Sequence, residues 1–133
     1  MTSEDTSTLS AEEIMEDIRQ KRGYLYPWQE FVAREDPEFI VNYEKMWDTI
    51  GARSVVLPLK FKQIILVAVL AALRDETAMR TQMRRALRLG ATKQELTEAL
   101  QVAFIPGGAL TLVHGYKVLA DVLAEHEQAQ SAT

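Results

Sequence analysis

Lys60-Phe-Lys-Gln-Ile-Ile-Leu-Val-Ala-Val-Leu-Ala-Ala-Leu73 is the stretch on which the fold turns. Its first turn is polar, with Lys60, Lys62 and Gln63, and from Ile64 to Leu73 no polar side chain occurs. Ile64, Ile65, Val67 and Val69 would also suit a strand. The run continues a charged turn opened by Pro58, however, and no second strand-like run exists to pair with it. The reading is a helix, roughly Pro58–Leu73. A helix apolar on every side must be covered on every side. Neighbouring chains can cover what a small bundle cannot, so the stretch predicts a closed, symmetric homo-oligomer. Its apolar run is about half the ~20 residues needed to span a bilayer, so no membrane association is expected.

Outward from this helix, every periodic segment is helical. Upstream, Ser10-Ala-Glu-Glu13 reads as a capping box opening a helix that stops at Gly23. Pro27 opens a short helix, Pro27–Arg34. Asp36-Pro37 caps another, in which Phe39, Ile40, Tyr43, Trp47 and Ile50 recur at helical spacing up to Gly51. Downstream, Asp75–Leu89 places Ala78, Met79, Met83, Ala86 and Leu87 inward and ends at Gly90. Thr92-Lys-Gln-Glu95 is a second capping box, leading into Leu96, Ala99, Leu100, Ala103 and Phe104. Pro106-Gly107-Gly108 breaks the pattern. A last helix, about Ala109–Glu125, carries Leu112, Val113, Tyr116, Leu119, Val122 and Leu123 inward. The fold class is all-α, a bundle of about six to seven helices. One helical domain, residues 10–127, is expected between a disordered acidic tail, 1–9, and a disordered C-terminal tail, 128–133.

Composition narrows the chemistry. The 133 residues include no cysteine, which removes disulfides, thiolate ligands and thiol nucleophiles. With only His114 and His126, a histidine-rich metal site is not expected, and no acidic loop proposes another. The net charge of −4 is concentrated at the N-terminus, where Glu4, Asp5, Glu12, Glu13, Glu16 and Asp17 precede the first basic residue. No basic footprint for nucleic acid appears. The acidic start is not a secretory signal, and a cytoplasmic location is the expectation.

From Leu57 to Leu123 the sequence resembles the carboxymuconolactone decarboxylase family, which shares the alkylhydroperoxidase D-like fold. The residues that carry the resemblance are Leu57-Pro-Leu-Lys-Phe-Lys-Gln-Ile-Ile65, Leu66-Val-Ala-Val-Leu-Ala-Ala-Leu73, Arg84-Arg-Ala-Leu87, Gly90-Ala-Thr92, Gly108 and Tyr116-Lys-Val-Leu119. The resemblance implies assembly as a homotrimer or hexamer. It also implies cofactor-independent decarboxylation or proton transfer on a small unsaturated carboxylic acid or lactone, as in the catabolism of aromatic compounds. Peroxidase-type members carry Cys-x-x-Cys, a histidine four residues on and a glutamate on the preceding helix. Counted from Gly90, those positions hold Asp75, Ala78, Gln82 and Gln63 here. A thiol relay needs a thiolate and a base, so peroxidase or disulfide-reductase activity is excluded.

Candidate site residues follow. His114, the only histidine inside the predicted core, is the candidate general acid or base, near the Pro106–Gly108 break. Otherwise it is a core or interface histidine with one hydrogen bond. Gln63 and Gln82 can orient a carboxylate or carbonyl, or hydrogen-bond one another across a helix pair. Lys60, Arg80 and Arg84 are candidate carboxylate anchors; the plainer readings are a stem over apolar surface for Lys60 and a solvated face for the arginines. Tyr26 and Trp28, beside Tyr24, can cap a planar ligand or clamp the short helix to the core. Two functions remain open: a cofactor-free decarboxylase or isomerase, and a catalytically degenerate member that binds a small molecule or serves in assembly.

Overall fold

The computed structural model describes residues 9–132, which fall into two compact units dividing after Arg53. Among the described residues there are seven helices and no strand. The expected N-terminal tail lies, apart from Leu9, outside them.

The first unit holds α1 (Ala11–Arg22), α2 (Pro27–Glu35) and α3 (Pro37–Gly51). Ser10 caps α1 by accepting from the Glu13 amide at 3.1 Å. The expected capping box is only half made, because the Glu13 carboxylate accepts from the Ser10 hydroxyl. Pro27 and Pro37 start their helices where a missing N–H is harmless. Ile14, Met15, Ile18, Ala33, Ile40 and Val41 form the core. At α3 the buried stripe is Ile40, Val41 and Glu44, and Phe39 and Ile50, expected inside, are exposed.

Glu44 is buried because Arg22 is buried against it. Arg22 Nε donates to Glu44 Oε2 at 2.9 Å, and Nη2 donates to Asp48 Oδ1 at 2.6 Å and to the Glu44 carbonyl at 3.2 Å. Gln29 Nε2 donates to Glu44 Oε1 at 3.3 Å, and the Arg22 guanidinium lies 4.8 Å from the Trp47 ring centre. All three helices are thereby tied to one carboxylate. Burial pushes Glu44 upward from the usual carboxylate range, with Arg22 pulling the other way.

The second unit comprises α4 (Leu59–Ala72), α5 (Glu76–Arg88), α6 (Lys93–Gly107) and α7 (Ala109–Ser131). Each of α5, α6 and α7 packs on α4, around Val67, Ala71, Met79, Met83, Ala86, Leu96, Leu100, Val118, Leu119 and Val122. Burying each of the larger side chains stabilises by about 1.5–3 kcal/mol, whereas a cap contributes about 1, so the caps set helix ends rather than the fold. Thr92 does form a reciprocal box with Glu95, both bonds being 3.0 Å. The last helix runs past its expected end at Glu125 to Ser131. Its residues there are ordinary helix formers, and Gln130 bonds His126 one turn back at 3.1 Å.

The central helix is not covered on every side. α4 buries one stripe, Gln63, Val67 and Ala71, while Phe61, Ile65, Val69 and Leu73 on the far side are exposed, Leu73 by 71%. Phe104 and Val113, expected inside, also face outward, as do Val102, Ile105 and Leu110. Four helices can enclose only the faces they turn to one another, and the remaining apolar surface stays open in a single chain.

Candidate functional site

The candidate site belongs to the second unit and starts from the turn between α4 and α5. Arg74 has left-handed backbone at φ 61°, and Asp75 then caps α5 by accepting from the Ala78 amide at 3.0 Å. The next residue, Glu76, therefore stands in the first helical turn. There its carboxylate meets α7: Oε2 contacts His114 Nδ1, and Oε1 accepts from Lys117 Nζ at 3.0 Å. His114 and Lys117 are three residues apart on one helix face, which is what lets a single carboxylate span both.

His114 is not a core residue, contrary to the sequence expectation. Its side chain is 34% exposed, because the interior stripe of α7 is Thr111, Gly115, Val118, Leu119 and Val122. Hydrogen bonding from His114 and Lys117 holds the Glu76 carboxyl below the usual carboxylate range, so it is ionised at neutral pH. A carboxylate on Nδ1 fixes the proton there in the neutral ring and leaves Nε2 as a lone-pair acceptor. The pair can take a proton from carbon or return one.

Gln63 and Gln82 do meet. Gln63 Nε2 donates to the Gln82 side-chain oxygen at 2.7 Å and to its backbone carbonyl at 2.9 Å, and Gln63 Oε1 accepts from Arg85 Nη1. Both amides are buried, and both ends of the Gln63 amide are engaged. They lie between α4 and α5, with partners distinct from those of His114. Lys60 pairs with Glu95 at 3.1 Å. Arg80 pairs with Asp121 at 3.2 Å, and Arg84 holds Glu125 through two bonds of 3.0 and 3.1 Å. These cations fasten helices of their own chain. Tyr26 and Trp28 belong to the first unit, where Trp28 packs edge-on against Tyr43, ring centres 5.1 Å apart, and Tyr24 stacks at a tilt on Tyr26.

Sequence reasoning missed Glu76, Lys117 and Arg74. Glu76 looks like an ordinary first-turn acid, favourable at any helix N-terminus. For Arg74 a signal was available, since α4 stops without the glycine that ends α1 and α5.

A sequence model of the carboxymuconolactone decarboxylase family matches residues 37–121. The chain belongs to this family. A crystal structure from Burkholderia xenovorans LB400, of a protein described as a presumed carboxymuconolactone decarboxylase, superposes with a TM-score of 0.80 at 22% identity, covering 93% of this chain and 99% of that one. A protein of Methanocaldococcus jannaschii, described only as uncharacterized, is 26% identical over 99 residues, 72% of this chain and 89% of its own. In this chain Asp75 and Ala78 are engaged in a helix cap, and Gln63 and Gln82 in an amide–amide hydrogen bond. No described helix is long and apolar enough to cross a membrane.

Proposed function

We propose that this family member is a cofactor-independent decarboxylase or isomerase acting on a small unsaturated carboxylic acid or lactone, in the cytoplasm and as a homotrimer or hexamer. The observation that carries the reading is the Glu76–His114 pair. It combines an imidazole with one ring nitrogen left as an acceptor, a carboxylate that orients it, and partial exposure to an entering molecule. In a decarboxylation the C–CO2 bond breaks and its electron pair passes into the substrate's conjugated carbonyl as an enolate. CO2 leaves, and imidazolium Nε2–H delivers a proton to carbon. In an isomerisation neutral Nε2 removes a proton from one carbon and returns it to another. Assembly is supported by the open apolar face of α4, which burial between copies would take out of water.

A second reading, a degenerate member that binds or assembles without catalysis, is favoured by the Gln63–Gln82–Arg85 network, which leaves the Gln63 amide no free donor or acceptor end toward a ligand. A thermal-shift screen of unsaturated mono- and dicarboxylic acids, followed by mass spectrometry of the hits, separates the two. Turnover that falls about tenfold or more in His114→Ala supports the enzyme. Binding without turnover supports the alternative.

A further inference from the structure

α1, α4 and α5 are each followed by a residue of positive φ: Gly23 at 80°, Arg74 at 61° and Gly90 at 93°. The ends of α4 and α5 are the same motif. Arg74 N–H donates to Ala71 O at 3.0 Å and Asp75 N–H to Leu70 O at 3.1 Å; Gly90 N–H donates to Leu87 O at 3.1 Å and Ala91 N–H to Ala86 O at 2.9 Å. Glycine is the usual residue there because any Cβ crowds the following carbonyl. Arg74 is the one non-glycine residue of positive φ among the described residues. An arginine at this position is held against its backbone preference, and its side chain reaches Gly107 O with Nη2 at 3.2 Å.

Lys60, Arg80, Arg84 and Lys117 each have a carboxylate partner; Arg74, exposed, has none among the described residues. One of its five N–H groups is engaged, and the others are available to a carboxylate. Two residues on, Glu76 holds His114. From Ala109 to His114 the rise along α7 is about 7.5 Å, so the Gly107 carbonyl that Arg74 reaches and the backbone of His114 are separated by on the order of 10 Å along the start of α7. Exposed Leu73, Leu110 and Val113 belong to the same chain segments. A carboxylate, a short unsaturated chain or ring, and a reacting carbon fit that sequence of charged, apolar and proton-transferring groups.

We infer that Arg74 is the residue that binds the carboxylate of the substrate, with the reacting carbon directed toward His114; the identity of that substrate rests on the function proposed above, whereas the anion site itself does not. The plainer role, capping the C-terminal carbonyls of α6, would affect stability and not affinity.

The probe is sorbate, a six-carbon dienoic monocarboxylate, set against its uncharged amide, in calorimetric titrations of the full chain. Wild type should bind sorbate in preference to the amide. Arg74→Gly, which relieves the left-handed backbone, should bind sorbate about tenfold or more weakly while its Tm is unchanged or higher. Arg74→Lys should recover part of the affinity, and Arg88→Ala, a control for lost charge, should bind as wild type does. Equal sorbate affinity in wild type and Arg74→Gly, no preference over the amide, or no binding by wild type at millimolar sorbate overturns the inference. His114→Ala is read separately by turnover. If turnover is unchanged there while the Arg74 result holds, the proton-transfer reading fails and the anion site stands.

Discussion

Glu76, in the first turn of α5, holds His114 of α7 by its Nδ1 and shares the same carboxylate with Lys117. The histidine is thus oriented by an acid from another helix, brought in by the left-handed turn at Arg74. This relationship sets the ring's tautomer, and it makes Glu76 a positioning residue.

Glu76→Gln should therefore flatten the pH dependence of stability and displace that of activity. The Glu76 carboxyl is depressed in the folded chain, so the stability it contributes is present above its unfolded value near 4.5 and is lost as pH falls through the lower folded value. Tm measured from pH 6 down to pH 3 should drop less steeply in the variant than in wild type. With a turned-over substrate, the acid limb of the rate profile should also move in Glu76→Gln, which a purely structural contact would leave in place.

Arg22→Ala should be among the most destabilising substitutions in the first unit. It leaves Glu44 buried with the Gln29 hydrogen bond and the charge of Lys21 to stabilise it. Breaking a buried pair by removing one partner costs about 3–5 kcal/mol. Chemical denaturation followed through Trp28 and Trp47 checks this, and a loss below about 1 kcal/mol would contradict the arrangement. The elevated Glu44 carboxyl works oppositely to Glu76. Its folded value lies above the unfolded one, so its favourable contribution is present below about pH 4.5 and is lost as pH rises through the folded value.

Ile65→Lys should lower the sedimenting mass without unfolding the chain. Ile65 is 51% exposed at the middle of the apolar stripe on α4, so a lysine costs little in the isolated bundle but places a charge within any interface formed there. Analytical ultracentrifugation of wild type and variant at equal concentration gives the answer. A wild-type monomer at all concentrations would overturn the assembly proposal.

Gly107→Ala should destabilise by about 1–3 kcal/mol. An added Cβ would fall 2.1 Å from Thr111 Oγ1 and 3.2 Å from the Ala72 backbone, where α4 and α7 converge on the end of α6. Thermal melts check the cost, and an unchanged Tm would show that this corner is looser than the packing indicates.

Much of the helical framework was legible because its boundaries are written in local chemistry. Asp36, Asp75 and Thr92 each accept from an amide three residues on, and Gly23 and Gly90 take the left-handed positions those ends require. Inward faces were read less well. Phe39, Phe104 and Val113 are apolar and correctly spaced, yet lie outside, because hydrophobic periodicity marks surfaces to be covered without saying whether the same chain covers them. The Gln63–Gln82 contact was readable as one of two alternatives, and Arg85 completes it. Glu76–His114 was not, since it joins residues 38 apart through a tertiary contact with no sequence spacing of its own. Arg74 was overlooked because a missing glycine is a quieter signal than one that is present.

The pairs Arg80–Asp121, Arg84–Glu125 and Lys117–Glu76 form an ionic seam between α5 and α7, in a bundle whose central helix exposes an apolar stripe. Added salt acts on these two features in opposite directions. Ions screen an exposed seam of charges, while strongly hydrated anions such as sulfate drive apolar surface out of water. Ionic strength thus becomes a dial with two effects, easing α7 away from α5 while strengthening the drive to cover the open stripe of α4.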